Sequence, residues 1–162
     1  TVKENLMYSG RFQLQADIKK HEVEDLAHEI LANLGLTKVK DVVVGDVGKR
    51  GISGGERKRV NIGIELMRKP QILFLDEPTS GLDSSSAMLL TKCLRSLVAS
   101  SGITVCAVIH QPRKYIFDLF HSLILLADGG NMVYAGPTSE AEEYFTKMSY
   151  VLPSGEGVAD WL

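Results

Sequence analysis

Long hydrophobic runs are missing from this sequence. The longest apolar stretches, Ile103 to Ile109 and Leu123 to Ala127, fall far short of the ~20 residues that a membrane-crossing helix needs, so the segment is expected to be soluble in itself. Cysteine is scarce. Cys93 and Cys106 make neither a disulfide framework nor a metal-ligand spacing, and each sits in an apolar pattern that predicts a small buried thiol in a reducing compartment. Neither sign of charge dominates: 18 Lys and Arg against 20 Asp and Glu leave a net charge of -2, which gives no footprint for a nucleic-acid partner. Signal peptide, internal repeat and low-complexity tract are absent as well. What is present is ordinary: 162 residues, 44% hydrophobic and 23% charged, enough for one compact domain with a sizeable core. The chain starts at Thr1 without a methionine and stops at Trp161-Leu162, and is expected to be a piece of a longer one.

The apolar spacing alternates between helix and strand. Thr1 with Glu4 reads as a capping box opening a short helix to about Gly10. Val23, Leu26, Ala27, Ile30, Leu31 and Leu34 recur at helical spacing on a helix from Glu22 to Leu34 that Gly35 stops. After a polar connection over Asp41 to Lys49, a helix is expected from Ser53 to about Arg68. Ile72 to Leu75 is too short and too uniformly apolar for an amphipathic helix, and predicts a strand buried on both faces of a parallel sheet. Ser84 to Ser100 returns as a helix with Ala87, Leu90, Leu94, Leu97 and Val98 inward. Ile103 to Ile109 predicts a second buried strand, completing a β-α-β unit. A short helix over Lys114 to Phe120 follows, then a hairpin of Ser122 to Ala127 and Asn131 to Ala135 around Asp128-Gly129-Gly130. Gly136-Pro137 breaks the pattern before a last helix from Thr138 or Ser139 to about Met148. The fold class is α/β.

Three places could carry chemistry. Asp76 and Glu77 leave the first strand at the carboxyl edge of the sheet, where open α/β folds bind ligands. Asp76 suits a Mg²⁺ ion, which keeps several waters and takes one or two carboxylates; Glu77 could accept a proton from an attacking water. The two could instead merely cap the next helix. His110 ends the neighbouring strand and could hold that water in line. Ser53-Gly54-Gly55-Glu56 contains a capping box. Yet two glycines are poor helix formers that a cap does not need, and bare amides at a helix start favour an anion. Arg50, Arg57, Lys58 and Arg59 flank that phosphate candidate or form a solvated helix face. No Gly-x-x-x-x-Gly-Lys-[Ser/Thr] occurs, so the loop that grips the β- and γ-phosphates is missing.

Together these residues resemble an ABC transporter nucleotide-binding domain. Ile52-Ser-Gly-Gly-Glu56 resembles the signature motif, Ile72 to Glu77 the Walker B strand, Ser80-Gly-Leu-Asp83 the D-loop and His110 the switch histidine. Arg50 to Val60, Asp76-Glu-Pro-Thr-Ser-Gly-Leu-Asp83, Ile109-His-Gln-Pro112, Thr1-Val-Lys-Glu-Asn-Leu6 and Val133-Tyr-Ala-Gly-Pro137 resemble the G subfamily, the white/brown-complex and pleiotropic-drug-resistance exporters. Gly157-Val-Ala-Asp-Trp161 follows that subfamily's closing Asn-Pro-Ala-Asp-Phe only loosely. The resemblance implies part of a P-loop NTPase fold: 1–70 mainly helical subdomain with the signature helix, and 71–162 the second half of a RecA-like core. Walker A, the Q-loop and the adenine-stacking aromatic are absent.

It further implies two nucleotide-binding domains pairing head to tail around two ATP molecules with Mg²⁺. Ser53, Gly54, Gly55 and Glu56 would serve the ATP held by the partner, and Asp83 would cross the interface. Asp76 would order Mg²⁺ through water, Glu77 would be the general base, and His110 would assist it. Expected partners are that second domain and a transmembrane domain of the same chain, with this segment on the cytosolic face of a membrane. Cargoes typical of the subfamily are lipids, sterols, hormones or drugs. The alternative is a non-catalytic half-domain for nucleotide sensing or interaction.

Overall fold

The computed structural model describes residues 1–14, 17–46, 50–153 and 158–161. Part of the connection before Ser53, residues 47–49, and Gly157 of the closing stretch lie outside the described residues. The chain divides into two compact units, Thr1–Val108 and Ile109–Leu162.

In the first unit, helix α1 (Val2–Gln13) opens with the Thr1–Glu4 capping box and runs a turn longer than expected. Helix α2 (Lys20–Asn33) buries Val23, Ala27, Ile30 and Leu31, the stripe anticipated from spacing. Helix α3 (Gly54–Leu66) packs against both. Gly63 lets it approach, since a Cβ there would lie 3.0 Å from Leu6 and 3.2 Å from both Ile30 and Leu34. Leu6, Leu31, Leu34, Val60, Met67 and Leu90 are among the fully buried side chains at the centre. Each large one contributes about 1.5–3 kcal/mol relative to exposure.

Strand β1 (Ile72–Asp76) pairs in parallel with β2 (Thr104–Val108), Ile72 opposite Thr104 and Asp76 opposite Val108. Helix α4 (Ser84–Ser101) connects them, buries Ala87, and packs Leu90, Leu94 and Leu97 into the same core. One expectation fails here. The strands are not buried on both faces: Leu73 is covered, but Ile72, Phe74 and Val108 are 53, 75 and 55% exposed. Side chains alternate across a strand, and among the described residues only the face turned to α4 and the helices meets other parts of this unit. Cys106 shares the open face and is exposed, whereas Cys93 is buried, so only one of the two thiols is sheltered as expected.

The second unit holds a short helix α5 (Lys114–Phe117) and an antiparallel hairpin of β3 (Ser122–Leu126) and β4 (Met132–Pro137). It ends in helices α6 (Ala141–Lys147) and α7 (Val158–Trp161). Gly136-Pro137 does not break the hairpin: Pro137 pairs with Ser122 at the end of an outer strand, where a missing N–H is tolerated. Tyr134, Tyr144, Phe145 and Trp161 pack ring to ring, with centroids 5.0 to 6.1 Å apart. Among the described residues no helix is long and apolar enough to cross a membrane.

Candidate functional site

Ser53 caps α3 with extended backbone. Its N–H and hydroxyl both donate to the Glu56 carboxylate at 2.7 and 2.8 Å, and its oxygen accepts from the Glu56 N–H at 3.3 Å. Those bonds, from the Ser53 amide first and its hydroxyl second, hold the Glu56 carboxyl below its ordinary pKa. Glu56 is therefore engaged in the cap. The box uses the third amide of the helix and leaves those of Gly54 and Gly55 without a hydrogen-bond partner among the described residues.

The two glycines differ. Gly54 is exposed, and a Cβ built on it meets nothing within 4 Å among the described residues. Gly55 is buried: a Cβ would lie 3.1 Å from the Ser86 Cβ and 3.2 Å from its Oγ. The expectation of two bare glycines is thus divided, because Gly55 serves the close approach of α3 to the start of α4. Gly54 alone fronts open space, and that cradle with its two amides fits an anion.

At the carboxyl end of β1, Asp76 is exposed and Glu77 half-buried. Glu77 has φ of 43°, a left-handed conformation unusual for a residue with a side chain. Its N–H donates to Val108 O at 3.0 Å, and its carbonyl accepts from the Ser80 N–H at 3.1 Å and from Lys58 Nζ at 3.4 Å. Neither acid caps the following helix. Asp83 does, accepting from the Ser85 and Ser86 amides at 3.0 Å each and from both their hydroxyls. The hydroxyls of Ser85 and Ser86 hold the Asp83 carboxyl far below the usual carboxylate range.

Of the basic cluster, Arg57 is exposed and Lys58 half-buried, but Arg59 is only 5% exposed. Its Nε lacks a partner among the described residues, so α3 does not present a uniformly solvated basic face. The sequence placed Lys58 near a phosphate; its bond to Glu77 was not legible from spacing. Among the described residues no three His, Cys, Asp or Glu side chains form a metal cluster. Asp76 is a hard oxygen donor of the kind Mg²⁺ takes singly, the remaining ligands being water and phosphate.

The first unit thus brings Ser53, Gly54, Gly55 and Glu56 together on α3, and Asp76, Glu77 and Asp83 around one loop. His110 belongs to the second unit, exposed in a bend two residues beyond the end of β2 rather than directly at it.

Residues 1–80 match the family model described as ABC transporter, and residues 110–161 that described as ABC-2 type transporter. ABC transporter G family member 28 of Arabidopsis thaliana is 48% identical over 161 residues, covering 99% of this chain and 14% of that protein. The Mus musculus broad substrate specificity ATP-binding cassette transporter ABCG2 is 49% identical over 150 residues, covering 93% of this chain and 22% of its own length. The chain therefore spans well under a third of these relatives. A solved structure, cbiO1 from Clostridium perfringens, described as part of the ABC transporter complex cbiONQ, superposes with a TM-score of 0.72 at 22% identity. That match covers 91% of this chain and 54% of the other. It establishes the fold as that of ABC ATPases: α/β, P-loop NTPase type.

Proposed function

Because the chain belongs to the ABC transporter family, G subfamily, we propose that it is part of an ATP-hydrolysing domain that powers export across a membrane. The whole protein would carry a transmembrane domain in the same chain, with this segment on the cytosolic side. Two such domains would pair head to tail. The amides at Gly54 and Gly55 of one would face the γ-phosphate of ATP bound by the other, with the Ser53–Glu56 box keeping the helix start rigid. Bound Mg²⁺ would neutralise phosphate charge beside Asp76. Glu77 would take a proton from the attacking water, and His110 would be the residue that assists hydrolysis. Asp83, its carboxylate engaged by the α4 cap, contributes the shape of the loop that meets the partner.

The observation that carries this reading is Glu77, half-buried at the carboxyl end of a parallel strand and set in a left-handed conformation by bonds to its N–H and carbonyl. Uncommon backbone states persist where surroundings over-determine them, which is characteristic of working sites. The experiment is Glu77→Gln in the complete transporter. General-base catalysis is worth about 10²–10⁴-fold, so ATP hydrolysis should fall by at least the lower figure while nucleotide binding persists. Hydrolysis near the wild-type rate would remove Glu77 from the role.

A further inference from the structure

We propose that Lys58 is a positioning residue for Glu77, fixing the backbone from which that carboxylate projects; the proposal rests on the reading of Glu77 as the base. Lys58 sits in the second turn of α3, half-buried, and its ammonium donates to the Glu77 carbonyl at 3.4 Å. The same carbonyl accepts the Ser80 N–H at 3.1 Å, and the Glu77 N–H donates to Val108 O at 3.0 Å. Two of these three restraints are backbone bonds that any sequence could make. The third comes from a side chain nineteen positions earlier, and it is charge-assisted.

A restraint of that kind has a purpose at this position. Glu77 carries a Cβ yet has φ of 43°, a region from which side-chain-bearing residues escape when unsupported. Rotation about the Glu77 N–Cα bond toward negative φ would swing its carbonyl away from Lys58 and re-aim the carboxylate with it. The same helix backs the far end of the loop, where Gly55 lies against Ser86. Ser86 is tied in turn to Asp83 Oδ2 at 2.7 Å. Helix α3 thus supports the loop at both ends, through a lysine at Glu77 and a glycine at Ser86.

The test uses the complete transporter with Lys58→Met, which keeps the aliphatic stem, and Lys58→Arg, which keeps the charge. Steady-state ATP hydrolysis, thermal unfolding and amide hydrogen exchange over residues 76–83 are read for each. Lys58→Met should lower kcat about five-fold, equivalent to about 1 kcal/mol. KM for ATP and the unfolding temperature should stay close to wild type, and exchange at the Glu77 and Ser80 amides should quicken. Lys58→Arg should restore most of both. Wild-type kcat, unchanged exchange, or equal loss in the two variants together with a lowered unfolding temperature would each overturn the proposal. Glu77→Gln measured alongside separates the two readings. If it hydrolyses ATP normally the base assignment fails; if it is inactive while Lys58→Met is normal, only the positioning role fails.

Discussion

Replacing Gly54 by alanine should make the chain more stable and the transporter less active. The stability half follows from the space around the residue: a Cβ at Gly54 meets nothing within 4 Å among the described residues, so they offer no clash to set against the gain in helix propensity. That gain is ~1 kcal/mol in a helix interior, and about half as much in a first turn, where fewer helical bonds depend on the residue. Gly55→Ala is the contrasting control. Its Cβ would lie 3.1 Å from Ser86, whose hydroxyl is tied to Asp83 and cannot easily withdraw. Overpacking of this kind costs about 1–3 kcal/mol, so the net change should be a loss of roughly 1 kcal/mol. Urea unfolding of the two variant chains should therefore move the midpoints in opposite directions. For activity, a methyl group at Gly54 occupies the approach to the two amides that have no hydrogen-bond partner among the described residues, and ATP hydrolysis by the complete transporter should drop although the fold has gained. A stabilised Gly54→Ala protein with undiminished hydrolysis would refute the assignment of these amides to phosphate, and a destabilised one would refute the open geometry.

Acid sensitivity should depend on Asp83. Its folded pKa is depressed from 3.8 by the hydroxyls and amides of Ser85 and Ser86, so its stabilisation is full above the unfolded pKa and lost as pH falls below it. Asp83→Asn should flatten the stability profile below about pH 4, as followed by circular dichroism, and an unaltered acid transition would contradict the cap. On the strand pair, Leu73→Ala should cost about 2–5 kcal/mol because Leu73 is buried. Phe74→Ser, at a position 75% exposed, should change the unfolding midpoint little while reducing self-association in light scattering. Comparable losses in the two variants would mean the open face is covered in solution. Residues 1–162 alone should bind Mg-ATP very weakly, since the phosphate-gripping loop is absent from this sequence. Tight binding in calorimetry would indicate a different nucleotide site.

What could be read from the sequence was whatever depends on local spacing. The stripe Val23, Ala27, Ile30 and Leu31 anticipated the buried face of α2, and Ser53 with Glu56 anticipated its capping box. Covering was not legible. Ile72 and Phe74 are as apolar as Leu73, and periodicity reports which side chains would gain from burial, not whether this chain supplies the covering layer. Cys106 was misjudged for the same reason. Contacts between distant positions escaped too. Nothing in the spacing marks Gly55 as the seat of Ser86, Lys58 as a donor to the Glu77 carbonyl, or Arg59 as buried among basic neighbours. The family likeness anticipated the fold well because its motifs fall in order along nearly the whole chain.

The proposed function requires each catalytic centre to combine the acids of one protomer with the glycine-opened helix of another. It is tested most directly by mixing variants in a two-domain transporter: Gly54→Ala and Glu77→Gln on opposite protomers, against both on one protomer paired with wild type. The opposite arrangement should retain ATP hydrolysis at one intact composite site, while the same-protomer arrangement should abolish it. Retained hydrolysis in the same-protomer pair, with loss in the opposite pair, would show that each protomer completes its own site and would rule out the composite centre.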